Sequence, residues 1–175
     1  MKQFLTKFKN NKKGFLSLFT IIMLSVLLPF LIFVFVTFTN MIQNVIYFKN
    51  VSDNAASSAV VLLNETKLQD GILYINETQA IARAKEVIAK ELNLDADLSP
   101  NENSKVYEKP NVEVLVYNDV PTEGLEIMTR FGKKIKVYKP SVIVVAEYPT
   151  LNITKSDIYP TIKNVGVAQT QFVIH

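Results

Sequence analysis

The chain has 175 residues, with 19 Lys and Arg side chains against 16 Asp and Glu, and a formal net charge of +3. It has no Cys and only one His, at its last position, which excludes a disulfide scaffold, a thiolate zinc site and a Cys nucleophile. The length allows one modest domain, and a pI near 9.0 would by itself favour nucleic acid or an acidic surface as a partner.

The positive charge is concentrated at the N-terminus. The first thirteen residues carry five Lys and no acid, whereas residues 14–48 carry no charged side chain. Residues 50–175 are slightly acidic. The chain therefore divides into a basic leader over residues 1–14, an apolar segment and an acidic body. With the charge divided in this way, we do not expect nucleic acid as a partner.

Residues 15–39 are predicted to form a transmembrane helix. A helix from Phe15 to Phe38 is about 36 Å long, enough to cross a hydrocarbon core of roughly 30 Å. The alternatives are a buried helix of a soluble core and a cleaved secretory signal. A small domain could hardly enclose so long an apolar segment, and a secretory signal has a shorter apolar region followed by small residues. The few polar side chains are hydroxyls that can bond to the preceding turn: Ser17, Thr20, Ser25 and Thr37.

The lysines of the leader predict the orientation of this helix. Short flanks rich in Lys stay in the cytoplasm, so the leader is expected inside the cell and the residues after about 45 outside. The chain would then be a single-pass protein of the cell membrane with an extracytoplasmic body. The side chains that set this topology are Lys7, Lys9, Lys12 and Lys13.

The helix is predicted to continue beyond the membrane, with residues 40–66 as an amphipathic extension. Apolar positions recur there at three- and four-residue steps, without Gly or Pro. Pro29, inside the span, removes one backbone hydrogen bond and predicts a kink. Small side chains over residues 55–59 give the extension a narrow face. That face could receive another helix, the chain's own body, or both on different sides.

Residues 67–175 are predicted to form an α+β head. Residues 72–75 are a strand candidate, and Asn76 followed by Gln79 predicts a capped helix over residues 77–92. The apolar stripe of that helix is expected to be Ile81, Ala84, Ile88 and Leu92.

Three period-two runs predict the strands of this head, at residues 111–120, 133–150 and 166–175. Pro140 should divide the second run or place it at an edge. The fold expected is α+β: a small antiparallel sheet packed on the outer half of the long helix and on the helix over residues 77–92, like a lollipop.

No group of residues in the sequence points to catalysis or to a cofactor. There is no G-x-S-x-G motif and no Gly-rich phosphate loop. The acidic run that starts at Asp95 and includes Asp97 and Glu102 does not match a calcium loop, because Pro100 and Val106 stand where Gly and Glu are needed. We therefore expect no enzymatic activity, no cofactor, no metal site and no small-molecule substrate.

The residues around Gly14 resemble the class III signal of type IV pilin-like proteins, in which a Lys-rich leader and a Gly directly precede an apolar helix that often begins with Phe, here Phe15. With Leu27-Leu28-Pro29 inside the span and an Ala-rich helix over residues 50–59, residues 7–65 are similar to the TadE/TadG-like pseudopilins of tight-adherence (Tad) pili. The resemblance implies that a membrane prepilin peptidase cuts between Gly14 and Phe15. It also implies that the partners are pilin-like subunits or assembly platform proteins.

The segment departs from that family at Phe19, where the family usually has a Glu that is thought to pair with the N-terminal amine of a neighbouring subunit. This departure favours a minor subunit or assembly component of a Tad or type IV-like pilus or secretion apparatus. The alternative is an uncleaved single-pass signal anchor that presents a small extracytoplasmic binding domain to an envelope partner.

Overall fold

The computed structural model describes residues 12–150 and 161–171, which form an α+β structure with one long apolar N-terminal helix and a small antiparallel sheet. The chain divides into two compact units, residues 1–44 and residues 45–175, which are described separately. The helices are α1 (Lys12–Val60), α2 (Glu65–Gln69) and α3 (Glu77–Leu92). The strands are β1 (Asn111–Tyr117), β2 (Leu125–Met128), β3 (Lys134–Val137), β4 (Ser141–Pro149) and β5 (Thr161–Gln169).

The described part of the first unit is helical throughout, because α1 runs without interruption from Lys12 and passes through Pro29. Its residues are almost all apolar. The last part of the same helix, from Val45 to Val60, belongs to the second unit.

The second unit is built in three layers around a three-stranded antiparallel sheet of order β1-β4-β5. Even-numbered positions of the central strand β4, such as Val142, Val144 and Ala146, pack against α1 and α3. Odd-numbered positions, Ile143 and Val145, pack against the β2-β3 hairpin on the other side. Because β4 is buried on both faces, its sequence is a continuous apolar run rather than an alternating one.

Helix α3 confirms the predicted bounds and the predicted N-cap. The side chain of Asn76 accepts a hydrogen bond from the Gln79 amide at 3.2 Å, and the helix covers residues 77–92. The apolar stripe differs at one position, since Ala80 rather than Ile81 is buried with the other three predicted residues. The division of the second strand run at Pro140 is also confirmed, because β3 ends at Val137 and β4 begins at Ser141.

The prediction that the long helix continues to residue 66 is wrong, because α1 ends at Val60. Tertiary hydrogen bonds turn the chain: the Asn64 amide donates to the Tyr74 carbonyl at 2.7 Å, and the Asn76 amide donates to the Leu62 carbonyl at 2.8 Å. Residues 72–75 form only one isolated bridge, between Leu63 and Ile75, and not the predicted strand.

The sheet prediction was incomplete in two places. Strand β2 was missed, and its pairing with β3 makes a separate two-stranded sheet. The last strand, β5, covers Thr161–Gln169 and so begins before the predicted residue 166. Residues 172–175 of the predicted run lie outside the described residues.

Candidate membrane-spanning helix

Apolar side chains of α1 are exposed on every side of the helix. Large apolar residues from Leu16 to Ile46 keep between 41% and 73% of their surface accessible. The most apolar stretch of the helix has a mean hydropathy of 2.8, and none of it is buried by the rest of the chain. By length and composition the helix can cross a membrane, a property that it shares with signal sequences near an N-terminus.

Hydroxyl side chains within the apolar stretch bond to the backbone of the helix itself. Thr20 donates to the Leu16 carbonyl at 2.8 Å, and Ser25 donates to the Ile22 carbonyl at 2.8 Å. Thr37 makes the same bond one turn back. These polar groups need no water, which confirms the predicted back-bonding for three of the four hydroxyls and suits a helix surrounded by lipid.

Pro29 lies near the middle of the exposed stretch. Proline has no amide hydrogen, so the Ser25 carbonyl four residues earlier lacks its usual helical donor. The hydroxyl of Ser25 donates to the Ile22 carbonyl, so it does not replace the missing donor to the Ser25 carbonyl. The kink at Pro29 stays a prediction.

The predicted processing site, Gly14–Phe15, lies in the first turn of α1. Lys12 and Lys13 are also in this turn, whereas Lys7 and Lys9 lie outside the described residues. Phe19, which stands where TadE/TadG-like pseudopilins usually have Glu, is 54% exposed.

In the second unit, the small side chains of α1 pack against the chain's own body. Ala55, Ala56 and Ala59 are fully buried, while Ser57 is exposed. The sequence left open whether this narrow face receives another helix, the chain's own body, or both. The structure shows the chain's own body packed on it. The sequence reasoning missed another close contact of this part of α1: Gly166 of β5 lies directly on the backbone of Ser52.

A buried polar pair joins α1 to the central strand. The hydroxyls of Ser52 and Tyr148 are 2.8 Å apart, and the Tyr148 ring stacks on Phe48 with 4.9 Å between centroids. Ser52 also donates to the Phe48 carbonyl at 3.2 Å, so Tyr148 donates to Ser52. Burial raises the pKa of the Tyr148 hydroxyl well above its usual range, which keeps it neutral.

Tyr47, one turn before this pair, is held from two sides. Its hydroxyl donates to the Glu91 carbonyl at 2.7 Å, and the Lys105 amine lies 3.7 Å from the centroid of its ring. The fold therefore places a lysine from a distant loop beside the helix, only one residue beyond the last exposed apolar residue of the stretch, Ile46. Sequence spacing gave no signal of this contact.

No metal-binding group is evident in the part of the chain that the structure describes. Residues 12–150 and 161–171 bring no three His, Cys, Asp or Glu side chains together in a way that could hold a metal. In the acidic loop, a carboxylate oxygen of Asp95 accepts from the backbone amides of Asp97 and Ser99. An open cleft of about 500 Å³ lies beside this loop, with Lys85 and Lys109 among its lining residues.

No protein-family model matches the chain, and no curated protein or solved structure matches it either. The resemblance to TadE/TadG-like pseudopilins therefore stays a prediction that rests on residues 7–65 alone.

Proposed function

We propose that the chain is a single-pass membrane protein that acts as a TadE/TadG-like pseudopilin, either a minor subunit or an assembly component of a Tad or type IV-like pilus or secretion apparatus. The observation that carries the proposal is helix α1, whose large apolar side chains from Leu16 to Ile46 are exposed and whose hydroxyls Thr20, Ser25 and Thr37 bond to its own backbone. The last part of the same helix lies in the core of an α+β body.

The exposure of the apolar stretch supports a membrane anchor over a core helix. A helix in a soluble core buries its apolar side chains, whereas none of this stretch is buried. Exposed apolar surface of this length is unstable in water, and a bilayer removes it from water without further protein contacts. The lysines of the leader orient the span with its N-terminus in the cytoplasm.

The continuity of α1 supports an anchor that stays joined to the body. The apolar stretch and the buried residues Phe48, Val51 and Ala55 belong to one unbroken helix. Cutting at the Gly14–Phe15 bond would remove the leader and leave the span attached. Partners would then be other pilin-like helices within the membrane or platform proteins beside them.

A second function is favoured by Phe19. The apolar ring cannot pair with the amine of a neighbouring subunit as a Glu would. The alternative is an uncleaved signal anchor that presents the body to an envelope partner.

The mass of the protein taken from the membranes of its own host distinguishes these proposals. A mature chain that starts at Phe15 supports the pseudopilin, and Gly14→Ala should then leave only the uncut form. A chain that still starts at Met1 would contradict processing and favour the anchor. Phe19→Glu serves as the companion variant: if Phe19 limits assembly, this change should increase the share of protein that cross-links to pilin-like partners.

A further inference from the structure

We infer that the body binds the headgroups of anionic phospholipids through two lysines, Lys49 and Lys105. The lipids are those on the extracytoplasmic face of the membrane that the helix spans. This basic pair lies in the second unit, and the inference rests on the proposed membrane anchor. Its starting point is the contact of the Lys105 amine with the ring of Tyr47, at 3.7 Å from the centroid.

The length of the uncharged segment places the basic pair near the membrane surface. Residues 14–48 carry no charge and, as helix, are about 52 Å long, compared with about 40–45 Å for a bilayer with its headgroups. Lys49 is the first charged residue after this segment. The fold places the Lys105 amine against the ring of Tyr47, which precedes Lys49 by two residues on the helix. The end of the uncharged segment therefore lies on the order of 10 Å beyond the headgroup layer of an untilted span, and tilt of the helix brings the two amines closer to that layer.

Two carboxylates whose contacts the structure gives near this pair lie farther along the helix than Tyr47. Lys49 pairs with Asp53, one turn later on α1. The side chain of Glu91 accepts from Asn54, about 10 Å along the helix beyond Tyr47. Among the described residues 12–150 and 161–171, Lys105 takes part in no ion pair.

The chemistry of the pair suits lipid phosphate. Lys carries a compact charge on a flexible stem, and Tyr and Lys are both common at the membrane interface, where one end of the side chain is apolar and the other wet. Glu102 and Glu108 lie three residues on either side of Lys105. The attraction is therefore local to the amines and does not come from the net charge of the loop.

The chain itself offers a matched control. Lys67 lies 3.2 Å from the centroid of the Tyr74 ring, so it forms the same kind of pair. It follows the end of α1, and α1 extends about 20 Å beyond Tyr47. Lys67→Ala removes an equal charge and an equal ring contact away from the proposed surface.

The test uses the full chain in vesicles of phosphatidylcholine, with or without phosphatidylglycerol. Because the chain has no Cys, Asn103→Cys gives one labelling site two residues from Lys105, and Gln69→Cys gives one beyond α1. A fluorophore at each site is quenched by lipid that carries a spin label on its headgroup. We expect phosphatidylglycerol to increase quenching at residue 103 and to leave residue 69 unchanged.

Lys105→Ala should lower the ratio of surface-bound to unbound bodies about fivefold in the anionic vesicles, as expected for one lysine at a charged surface. Lys105→Arg and Lys67→Ala should keep the original quenching. Quenching at residue 103 that ignores phosphatidylglycerol, or that survives Lys105→Ala, would overturn the inference alone. A chain that alkaline carbonate washes from the vesicles would instead overturn the membrane anchor on which the inference rests.

Discussion

Gly166 lies in the middle of β5, where the strand meets the backbone of α1. A Cβ atom at this position would be 2.1 Å from the Ser52 carbonyl oxygen and 2.3 Å from its carbon, so a larger residue must push the strand off the helix. We expect Gly166→Ala to lower the free energy of unfolding by about 1–3 kcal/mol. Thermal unfolding of the full chain in detergent measures the change.

Gly71→Asn is the control for this prediction. Gly71 has φ +76° and nothing within 4 Å of an added Cβ, and Asn tolerates the left-handed conformation better than most residues. The control should therefore cost little. Equal losses in the two variants would show that the close approach of β5 to α1 does not decide stability.

Tyr148 makes stability depend on alkaline pH. Burial raises the pKa of its hydroxyl well above the value of about 10 in an unfolded chain, so the folded state holds this proton more tightly. The contribution is therefore fully present below about pH 10 and is lost as the pH rises above it. Tyr148→Phe should cost about 1 kcal/mol near neutral pH through the lost bond to Ser52.

Denaturant unfolding at a series of pH values tests this dependence. The Tyr148→Phe variant should lose stability less steeply above about pH 10 than the original chain. Tyr138→Phe, which changes a ring that is 56% exposed, should leave the pH profile in place. Identical alkaline slopes for the original chain and Tyr148→Phe would contradict the prediction.

Helix α3 depends on its N-cap. Asn76→Ala removes the acceptor for the Gln79 amide and should cost about 1 kcal/mol, because α3 carries four fully buried residues into the core. Asn64→Ala removes the same kind of bond from α2, which has five residues and none buried, so its cost should be smaller. Chemical denaturation of both variants compares the two caps, and a larger loss for Asn64→Ala would refute this ranking.

The elements that the sequence predicted well are those fixed by local signals. Asn76 and Gln79 define the start of α3 through a bond between neighbours, and Pro140 separates β3 from β4 through the missing amide. The end of α1 at Val60 could not be predicted in this way. The end of α1 depends on two tertiary hydrogen bonds that only the folded chain makes. The Asn64 amide donates to the Tyr74 carbonyl, and the Asn76 amide donates to the Leu62 carbonyl.

Ile75 shows why a local apolar run did not become a strand. Its amide donates to the Asn118 side chain at 2.6 Å, and its carbonyl accepts from the same side chain at 3.1 Å. A side chain 43 residues away thus occupies the groups that a neighbouring strand would need. Strand β2 was missed because its four residues give too short a period-two pattern.

The candidate membrane segment could be predicted from composition, whereas the packing of the last part of α1 within the second unit could not. Thirty-five successive uncharged residues are visible in the sequence, and the exposure of their side chains agrees with that pattern. The contacts of Tyr47, Ser52 and Gly166 involve partners more than forty residues away. No periodicity within α1 identifies those partners, because they are set by the topology of the sheet.

The proposed orientation of the whole molecule depends on four lysines and can be reversed by changing them. Replacing all four with Gln removes the positive flank that keeps the N-terminus inside, so a larger share of chains should insert with the body in the cytoplasm. A Cys at Gln69, which is exposed, reports the side by its reaction with a membrane-impermeant maleimide in intact cells. The control makes an equal change of charge within the body and should keep the Cys reporter outside the cell. If the leader variant reacted with the maleimide as fully as the original chain, the charge-based topology would be contradicted. The leader set is Lys7, Lys9, Lys12 and Lys13, and the control set is Lys133, Lys134, Lys136 and Lys139.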